Sequence, residues 1–326
     1  MINLKNLFNH NNIDGDDFAS LKFCKMHGNG NDFVVFCCDE LQSDREYFDA
    51  MCEKVKANAV NIADRNFGIG CDQIVTLMKC KASSAIKAND SDESADLNCV
   101  IRLYNADGTC AAMCGNALRC ITGLVCDKSE SVNDKKNVLN VHIEADNIPT
   151  RIVVCVNESD GVATVDMGRF AIKKDSRGEL FVNVGNNHKI VEQGGIIGDK
   201  DGFIPVPNSL VPDDEYNVNY MNIIDDEKIA IATVERGAGL TLSCGSGACA
   251  SAIYHQFKLQ NNNKLIAQNA TTYVYDAGQK ITINDKALCI KTRFIDVSND
   301  LTEVACGFVF MTGKYKYVFC GEIILN

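Results

Sequence analysis

Apolar residues along this chain fall into many short runs separated by Gly-, Asn- and Asp-rich turns, with only three longer segments of helical spacing. Continuous or alternating apolar stretches predict strands over 33–36, 74–78, 99–104, 138–143, 151–156, 162–167, 180–184, 189–191, 228–234, 269–275, 304–311 and 317–325. The 3.6-residue period predicts helices over 47–57, 117–126 and 248–257. In the second of these, Leu118, Ile121, Leu124 and Val125 form one stripe. Turn signals stand at Gly28-Asn29-Gly30-Asn31-Asp32, Gly68-Ile69-Gly70, Asn105-Ala106-Asp107-Gly108-Thr109, Gly185-Asn186-Asn187-His188 and Glu235-Arg236-Gly237-Ala238-Gly239. The polar, acidic stretch 83–98 reads as a surface loop.

The pattern repeats weakly. Strand, glycine turn, Cys-Gly-(Asn/Ser) and helix occur once in each half, around Cys114 and again around Cys244. Gly28-Asn29-Gly30-Asn31-Asp32-Phe33-Val34-Val35 is also similar to Gly185-Asn186-Asn187-His188-Lys189-Ile190-Val191. Two copies of one α/β unit facing each other would set two helix starts across one cleft.

A length of 326 residues suggests two domains, and 46% hydrophobic with 23% charged residues is the profile of a soluble globular protein. The formal net charge of −11 disfavours nucleic acid and anionic membrane as partners, while leaving a small zwitterionic substrate open. The first twenty residues hold no apolar run suited to a secretory signal and read as a flexible extension. Seventeen cysteines in a chain this long, without such a signal, are expected to be reduced cytoplasmic thiols that act mainly as small hydrophobes. Their spacings fit no standard zinc module, so no metal is expected; Cys120 and Cys126 suit a helix interior.

Two cysteines differ. Cys114 and Cys244 each precede a glycine at the start of a predicted helix. The first N–H groups of a helix lack internal partners, and the helix dipole makes that end positive. A thiolate there is stabilised, and the same N–H groups can hold a carboxylate. One such cysteine is more often a packing residue than a functional one; two in matching contexts suggest an acid–base pair. One thiolate would take an α-proton and one thiol would deliver another to the opposite face, inverting the centre. Other readings are weaker. Gly245-Ser246-Gly247-Ala248-Cys249-Ala250 fits a G-x-G-x-x-A dinucleotide fingerprint, but residues 269–275 bring no acidic residue at the expected distance. A PLP enzyme would need a Schiff-base lysine and a phosphate cup. Asn105-Ala106-Asp107-Gly108 is an ordinary turn taken alone, and a single histidine such as His188 is more often structural. Glu235 and Arg236 would face opposite ways on a regular strand, and can share a ligand only where the backbone leaves it.

The chain resembles the diaminopimelate epimerase family. The resemblance rests on Lys25 to Phe33, Gly68 to Gln73, Tyr104 to Thr109, Cys114 to Cys120, Gly185 to His188, Asn217 to Tyr220 and Glu235 to Ala248, in the family's order. It implies an α/β (α+β) fold: two pseudo-symmetric domains, each a curved mixed sheet or barrel round a central helix. The expected domains are 21–165 with 314–326, and 166–313, after the extension 1–20. It implies no cofactor, a homodimer, and interconversion of L,L- and meso-diaminopimelate, with Cys114 as base for the L,L isomer and Cys244 for the meso isomer. Asn31, Gln73, Asn105, Gly115, Asn116, Asn186, Asn217, Glu235, Arg236, Gly245 and Ser246 would bind substrate, Glu235 suiting an ammonium and Arg236 the far carboxylate. His188 would support the thiols. Proline or hydroxyproline racemase is the nearest alternative, with the same two-thiol chemistry. The chain departs from the family at Asn187, where proline is usual, at Asn29, where an apolar residue is usual, in the longer 83–98 stretch, and in the first twenty residues.

Overall fold

The computed structural model describes residues 20–38, 45–80, 97–126, 137–159, 161–193, 211, 213–236, 239–241, 243–261, 269–276, 287–295 and 303–325. The flexible extension expected at 1–20 and most of the loop expected at 83–98 lie outside these residues. The chain forms two compact units: one of residues 1–28, 32–163 and 315–326, the other of 29–31 and 164–314.

In the first unit the strands are β1 (Leu21–Gly28), β2 (Asn31–Cys38), β3 (Gln73–Cys80), β4 (Leu97–Asn105), β5 (Cys110–Ala111), β6 (Asn137–Ala145), β7 (Ile148–Ser159) and, by its place in this unit, the last strand, Lys316–Ile323. The helices are α1 (Arg45–Ala57), α2 (Ala59–Ala63) and α3 (Gly115–Cys126). The last strand pairs with β1, and the ladder continues β1–β2–β3–β4–β6–β7. The pairs β2–β3 and β4–β6 are parallel, so each needs a crossover, and helices supply both. Val34 and Phe36 of β2 pack with Phe48, Met51, Cys52 and Val55 of α1. Phe33 and Val35 are equally buried and point the other way, because side chains alternate along a strand. Cover on both faces explains why 33–36 reads as an unbroken apolar run.

The second unit holds β8 (Val162–Lys174), β9 (Leu180–Asn183), β10 (Asn187–Glu192), β11 (Asn217–Ile223), β12 (Lys228–Glu235), β13 (Gly239–Thr241), α4 (Gly245–Asn261), β14 (Asn269–Asp276), β15 (Leu288–Ile295) and β16 (Glu303–Lys314); the last strand of the chain is thus β17. Its strands close into an eight-membered ring, β8–β9–β10–β11–β12–β14–β15–β16 and back to β8. Helix α4 packs against β9, β10, β11, β12, β14, β15 and β16. Its first turns are built from small residues, Gly245, Ser246, Gly247, Ala248, Cys249, Ala250, Ser251 and Ala252, which keep it narrow enough for the interior of such a ring. Burial of Ile253 and Phe257 further along contributes about 1.5–3 kcal/mol each.

The internal repeat takes structural form here. In each unit a strand turns back into a two- or three-residue antiparallel strand, a helix follows, and a parallel strand completes the crossover: β4–β5–α3–β6 and β12–β13–α4–β14.

Several expectations change. Helix α3 has no single apolar stripe facing a core; every residue from Gly115 to Cys126 is buried, because the helix is enclosed on all sides. Both α3 and α4 begin two or three residues earlier than their apolar periodicity, at the glycines after the cysteines. Residues 97 and 98 belong to β4. Strands β1, β11 and β15, and the short β5 and β13, lie outside the predicted strands; in β15, Thr292 occupies an inward position and weakens the apolar alternation.

Candidate active site

Cys114 and Cys244 occupy equivalent places. Each is the residue before a helix, and each carbonyl accepts the first i→i+4 hydrogen bond, Leu118 N to Cys114 O at 3.0 Å and Ala248 N to Cys244 O at 2.9 Å. Both are therefore N-cap residues. At Cys244 the cap is made by sulfur: Gly247 N–H donates to Sγ at 3.3 Å, and Ser246 Oγ lies 3.4 Å from it. A carbonyl or a hydroxyl usually accepts at this place; a thiolate gains more, since charge strengthens the bond.

Other thiols are held differently. Burial pushes Cys71 and Cys120 up to about 12, and drives Cys38 and Cys99 up as well. These remain protonated and act as small apolar side chains. Cys120 and Cys126 lie in α3, fully within the core.

In the first unit, Gln73 and Asn105 are direct cross-strand partners on β3 and β4, and Gln73 Nε2 donates to Asn105 Oδ1 at 2.8 Å. Asn105 opens the turn that leads through β5 to Cys114. Its N–H donates to Thr109 O at 2.8 Å and its carbonyl accepts from Gly108 N at 2.9 Å, while Asp107 Oδ1 accepts from Thr109 N at 2.9 Å. Gly115 and Asn116 form the first turn of α3, both buried. Asn116 Oδ1 accepts from the fully buried Arg119 at 2.6 Å, so its amide oxygen is held within the core.

The second unit gathers more of the predicted residues. Asn31, which opens β2, clusters with it. His188 on β10 is buried, and its Nε2 lies 3.1 Å from both Asn186 Oδ1 and Ser246 Oγ. Asn186 Nδ2 reaches Ser246 Oγ at 3.4 Å. Thus Asn186, His188, Ser246 and Cys244 form one hydrogen-bonded group. Asn217 is the register partner of His188 on the parallel strand β11, and its Oδ1 accepts from the backbone N–H of Arg236 at 2.9 Å. Glu235 ends β12 and accepts from Thr241 Oγ1 at 2.7 Å. Arg236 follows in a turn, so the backbone leaves the strand between the two. The Arg236 side chain is exposed. Gly245 starts α4 and is buried.

Burial lowers His188 from 6.5 to about 3. It is a neutral imidazole at physiological pH and serves as a hydrogen-bonding group rather than a charge. Asn219, within the Asn217–Tyr220 segment, and Thr233, within the predicted strand 228–234, carry no site role in the sequence. The signal available was the second asparagine of Asn217-Val218-Asn219, two residues on and hence on the same strand face.

The family profile described as diaminopimelate epimerase matches residues 23–172. A diaminopimelate epimerase of Xanthomonas euvesicatoria pv. vesicatoria is 31% identical over 252 residues, covering 72% of this chain and 80% of its own length. One of Rickettsia massiliae is 33% identical over 248 residues, covering 72% and 81%. Among solved structures, a hydroxyproline epimerase from Agrobacterium vitis with bound trans-4-OH-L-proline superposes with a TM-score of 0.59 at 13% identity, covering 94% of this chain and 93% of that one. A probable proline racemase from Agrobacterium radiobacter K84 gives 0.56 at 11% identity, covering 94% and 93%. At such identities the two structures speak to fold alone.

Proposed function

Since the chain belongs to the diaminopimelate epimerase family, we propose that it interconverts L,L- and meso-diaminopimelate, without PLP, by passing protons through Cys114 and Cys244. The observation that carries this reading is the pair of matched helix starts, each with a cysteine at the cap and a glycine at the first helical position.

The proton balance is simple. A thiolate removes the α-proton from one face of the carbon and becomes a thiol. The second cysteine, a thiol at the outset, gives its proton to the opposite face and becomes a thiolate. The centre is inverted, and solvent exchange at the two sulfurs resets the enzyme. Cys114 is the base toward the L,L isomer and Cys244 toward the meso isomer. Backbone N–H groups of Gly115, Asn116, Gly245 and Ser246 meet the reacting carboxylate as it gains enolate character, where preorganised donors are worth most. Positioned proton transfer supplies about 10²–10⁴ in rate. Asn31, Gln73, Asn105, Asn186 and Asn217 hold the rest of the substrate; Glu235 meets an ammonium, and the exposed Arg236 guanidinium meets the distal carboxylate in bidentate fashion.

This chemistry serves lysine and cell-wall precursor synthesis. Among the described residues no helix is long and apolar enough to cross a membrane. We further take the enzyme to be a cytoplasmic homodimer, on the family resemblance, with epimerase domains at 21–165 plus 314–326 and at 166–313.

The test is a substrate panel. Pure L,L-diaminopimelate, L-proline and trans-4-hydroxy-L-proline are incubated separately with the enzyme, and products are resolved by chiral chromatography. Conversion of the first to the meso isomer, with the two imino acids unchanged, is expected. Turnover of an imino acid in preference would replace this reading with the racemase one.

A further inference from the structure

The second unit contains a continuous hydrogen-bonded line that ends on Cys244 and begins at two residues with no assigned role. Thr233 Oγ1 donates to Asn219 Oδ1 at 2.7 Å. Asn219 Nδ2 meets His188 Nδ1 at 2.9 Å. His188 Nε2 lies 3.1 Å from Ser246 Oγ, and Ser246 Oγ lies 3.4 Å from Cys244 Sγ. Asn219 and Thr233 are direct register partners on β11 and β12, and Asn219, Thr233 and His188 are all buried.

Donor and acceptor roles along this line follow from the orientation of the Asn219 amide, whose oxygen faces Thr233 and whose NH₂ faces His188. The Thr233 hydroxyl occupies the carbonyl oxygen of Asn219, which turns the amide NH₂ toward His188. Nδ1 must then be the unprotonated, accepting nitrogen, and in a neutral imidazole the proton resides on Nε2. That N–H faces two oxygens, Asn186 Oδ1 and Ser246 Oγ. With its oxygen accepting from the imidazole, Ser246 has its own O–H left to aim at Cys244 Sγ, beside the Gly247 N–H already there. The burial that keeps His188 uncharged is what makes tautomer choice decisive here.

Gly247 belongs to the same construction. A Cβ at this position would lie 2.5 Å from Asn219 Oδ1 and 2.7 Å from Thr233 Oγ1. Only glycine allows the first turn of α4 to rest against the pair, so the second glycine of Gly245-Ser246-Gly247 is explained by close approach of the helix start to Asn219 and Thr233, with no dinucleotide required.

We infer that Thr233 and Asn219 are positioning residues: they hold His188 in its Nε2–H tautomer so that Ser246 donates to the sulfur of Cys244. The inference rests on Cys244 being a reacting thiol, but it concerns the reactivity of that sulfur and can be tested without any substrate.

The variants are Asn219→Asp, Thr233→Val and Thr233→Ser in the full-length chain. An aspartate at 219 can only accept, so it draws the proton to Nδ1 and leaves Nε2 as acceptor; Ser246 then donates to the imidazole instead of to sulfur. Two readouts are made. Long-range ¹H–¹⁵N spectra report the His188 tautomer, and iodoacetamide labelling followed by peptide mass spectrometry reports the alkylation rate of Cys244, with Cys114 as internal reference. The wild type is expected to show Nε2–H. Asn219→Asp is expected to show Nδ1–H and about tenfold slower alkylation of Cys244 relative to Cys114, the loss of one hydrogen bond to a charged acceptor. Thr233→Val should move in the same direction, and Thr233→Ser, which keeps the hydroxyl, should stay with the wild type. An Nδ1–H tautomer in the wild type overturns the inference. So does an unchanged Cys244 rate in a folded Asn219→Asp protein, or a Thr233→Ser variant that behaves like Thr233→Val. Should Asn219→Asp fail to fold, the valine–serine contrast decides. Absence of diaminopimelate turnover would bear on the proposed reaction and leave these readouts intact.

Discussion

Replacing Gly123 with alanine tests how α3, and with it Cys114, is held. Gly123 is an interior helical residue, where alanine normally stabilises by about 0.5–1 kcal/mol. Here the new Cβ would fall 2.0 Å from Cε2 and 2.1 Å from Cζ of Tyr315. Carbon atoms prefer about 3.5–4.0 Å, so the ring or the helix must shift by about 1.5–2 Å. The ring has little freedom: Tyr315 is buried, its N–H donates to Gly161 O at 3.0 Å, and its hydroxyl accepts from Gly161 N–H at 3.3 Å. Overpacking of this kind costs about 1–3 kcal/mol and exceeds the propensity gain. Gly123→Ala should therefore destabilise by about 1–2 kcal/mol, a fall in Tm of roughly 1.5–3 °C in a protein of this size. Urea unfolding of the four proteins in a cycle with Tyr315→Ala separates the terms. In the Tyr315→Ala background the clash is gone, and Gly123→Ala should be neutral or stabilising, a coupling of about 1–3 kcal/mol. An alanine that stabilises the wild-type chain, or that costs the same in both backgrounds, would refute the packing argument.

Two further outcomes follow from the first unit. Asp32 accepts from Arg65 through both oxygens, at 2.9 and 3.0 Å, and pairs with Lys25 at 2.7 Å. Burial alone would raise this carboxyl, but hydrogen bonds and charge from Arg65 and Lys25 outweigh it and hold the group at about 2, against 3.8 unperturbed. A depressed carboxylate stabilises the fold above its unfolded value and loses that contribution as pH falls from 3.8 through 2. Asp32→Asn should lower stability at neutral pH by about 2 kcal/mol and flatten the acid limb in urea titrations; an unaltered limb would contradict the ion-pair assignment. Cys24 and Cys320 are direct register partners on β1 and β17, with sulfur atoms 2.8 Å apart. Diamide should oxidise them to an intramolecular disulfide, detected as a linked peptide that disappears in Cys320→Ser, and should raise Tm because the bridge closes nearly the whole chain into a loop; failure to recover that peptide would show the pair to be poorly aligned.

The features legible in the sequence are those set locally. A cysteine followed by glycine at the head of an apolar period marks a helix start, and both α3 and α4 begin there. The turn at Asn105-Ala106-Asp107-Gly108-Thr109 is likewise set by its own side chains, Asp107 accepting from Thr109. What sequence periodicity misses is enclosure. Leu118, Ile121, Leu124 and Val125 look like one buried stripe, yet Asn116, Arg119 and Thr122 on the remaining faces of α3 are also buried, because the helix packs against β1, β6 and β7 and is covered on every face. Polar residues inside such a shell must find partners there, and those partners come from distant strands. Asn219 and Thr233 are the instructive case. Each looks like an ordinary strand residue, and their role depends on the pairing of β11 with β12 and of β10 with β11, which no local pattern encodes. Glu235 and Arg236 illustrate the converse: the glycine after Arg236 hints that the strand ends, and β12 does end at Glu235.

If two thiols act on opposite faces of one carbon, isotope tracing reports it directly. L,L-diaminopimelate bearing ordinary hydrogen is incubated in D₂O, and both isomers are recovered at low conversion and analysed by mass spectrometry. A two-thiol enzyme delivers to the product a proton that never belonged to the substrate, so the meso product should carry one solvent deuterium while recovered L,L substrate carries almost none, and Cys114→Ala and Cys244→Ala should each abolish epimerisation. A meso product that keeps the substrate's own α-hydrogen, or full turnover by either alanine variant, would contradict it.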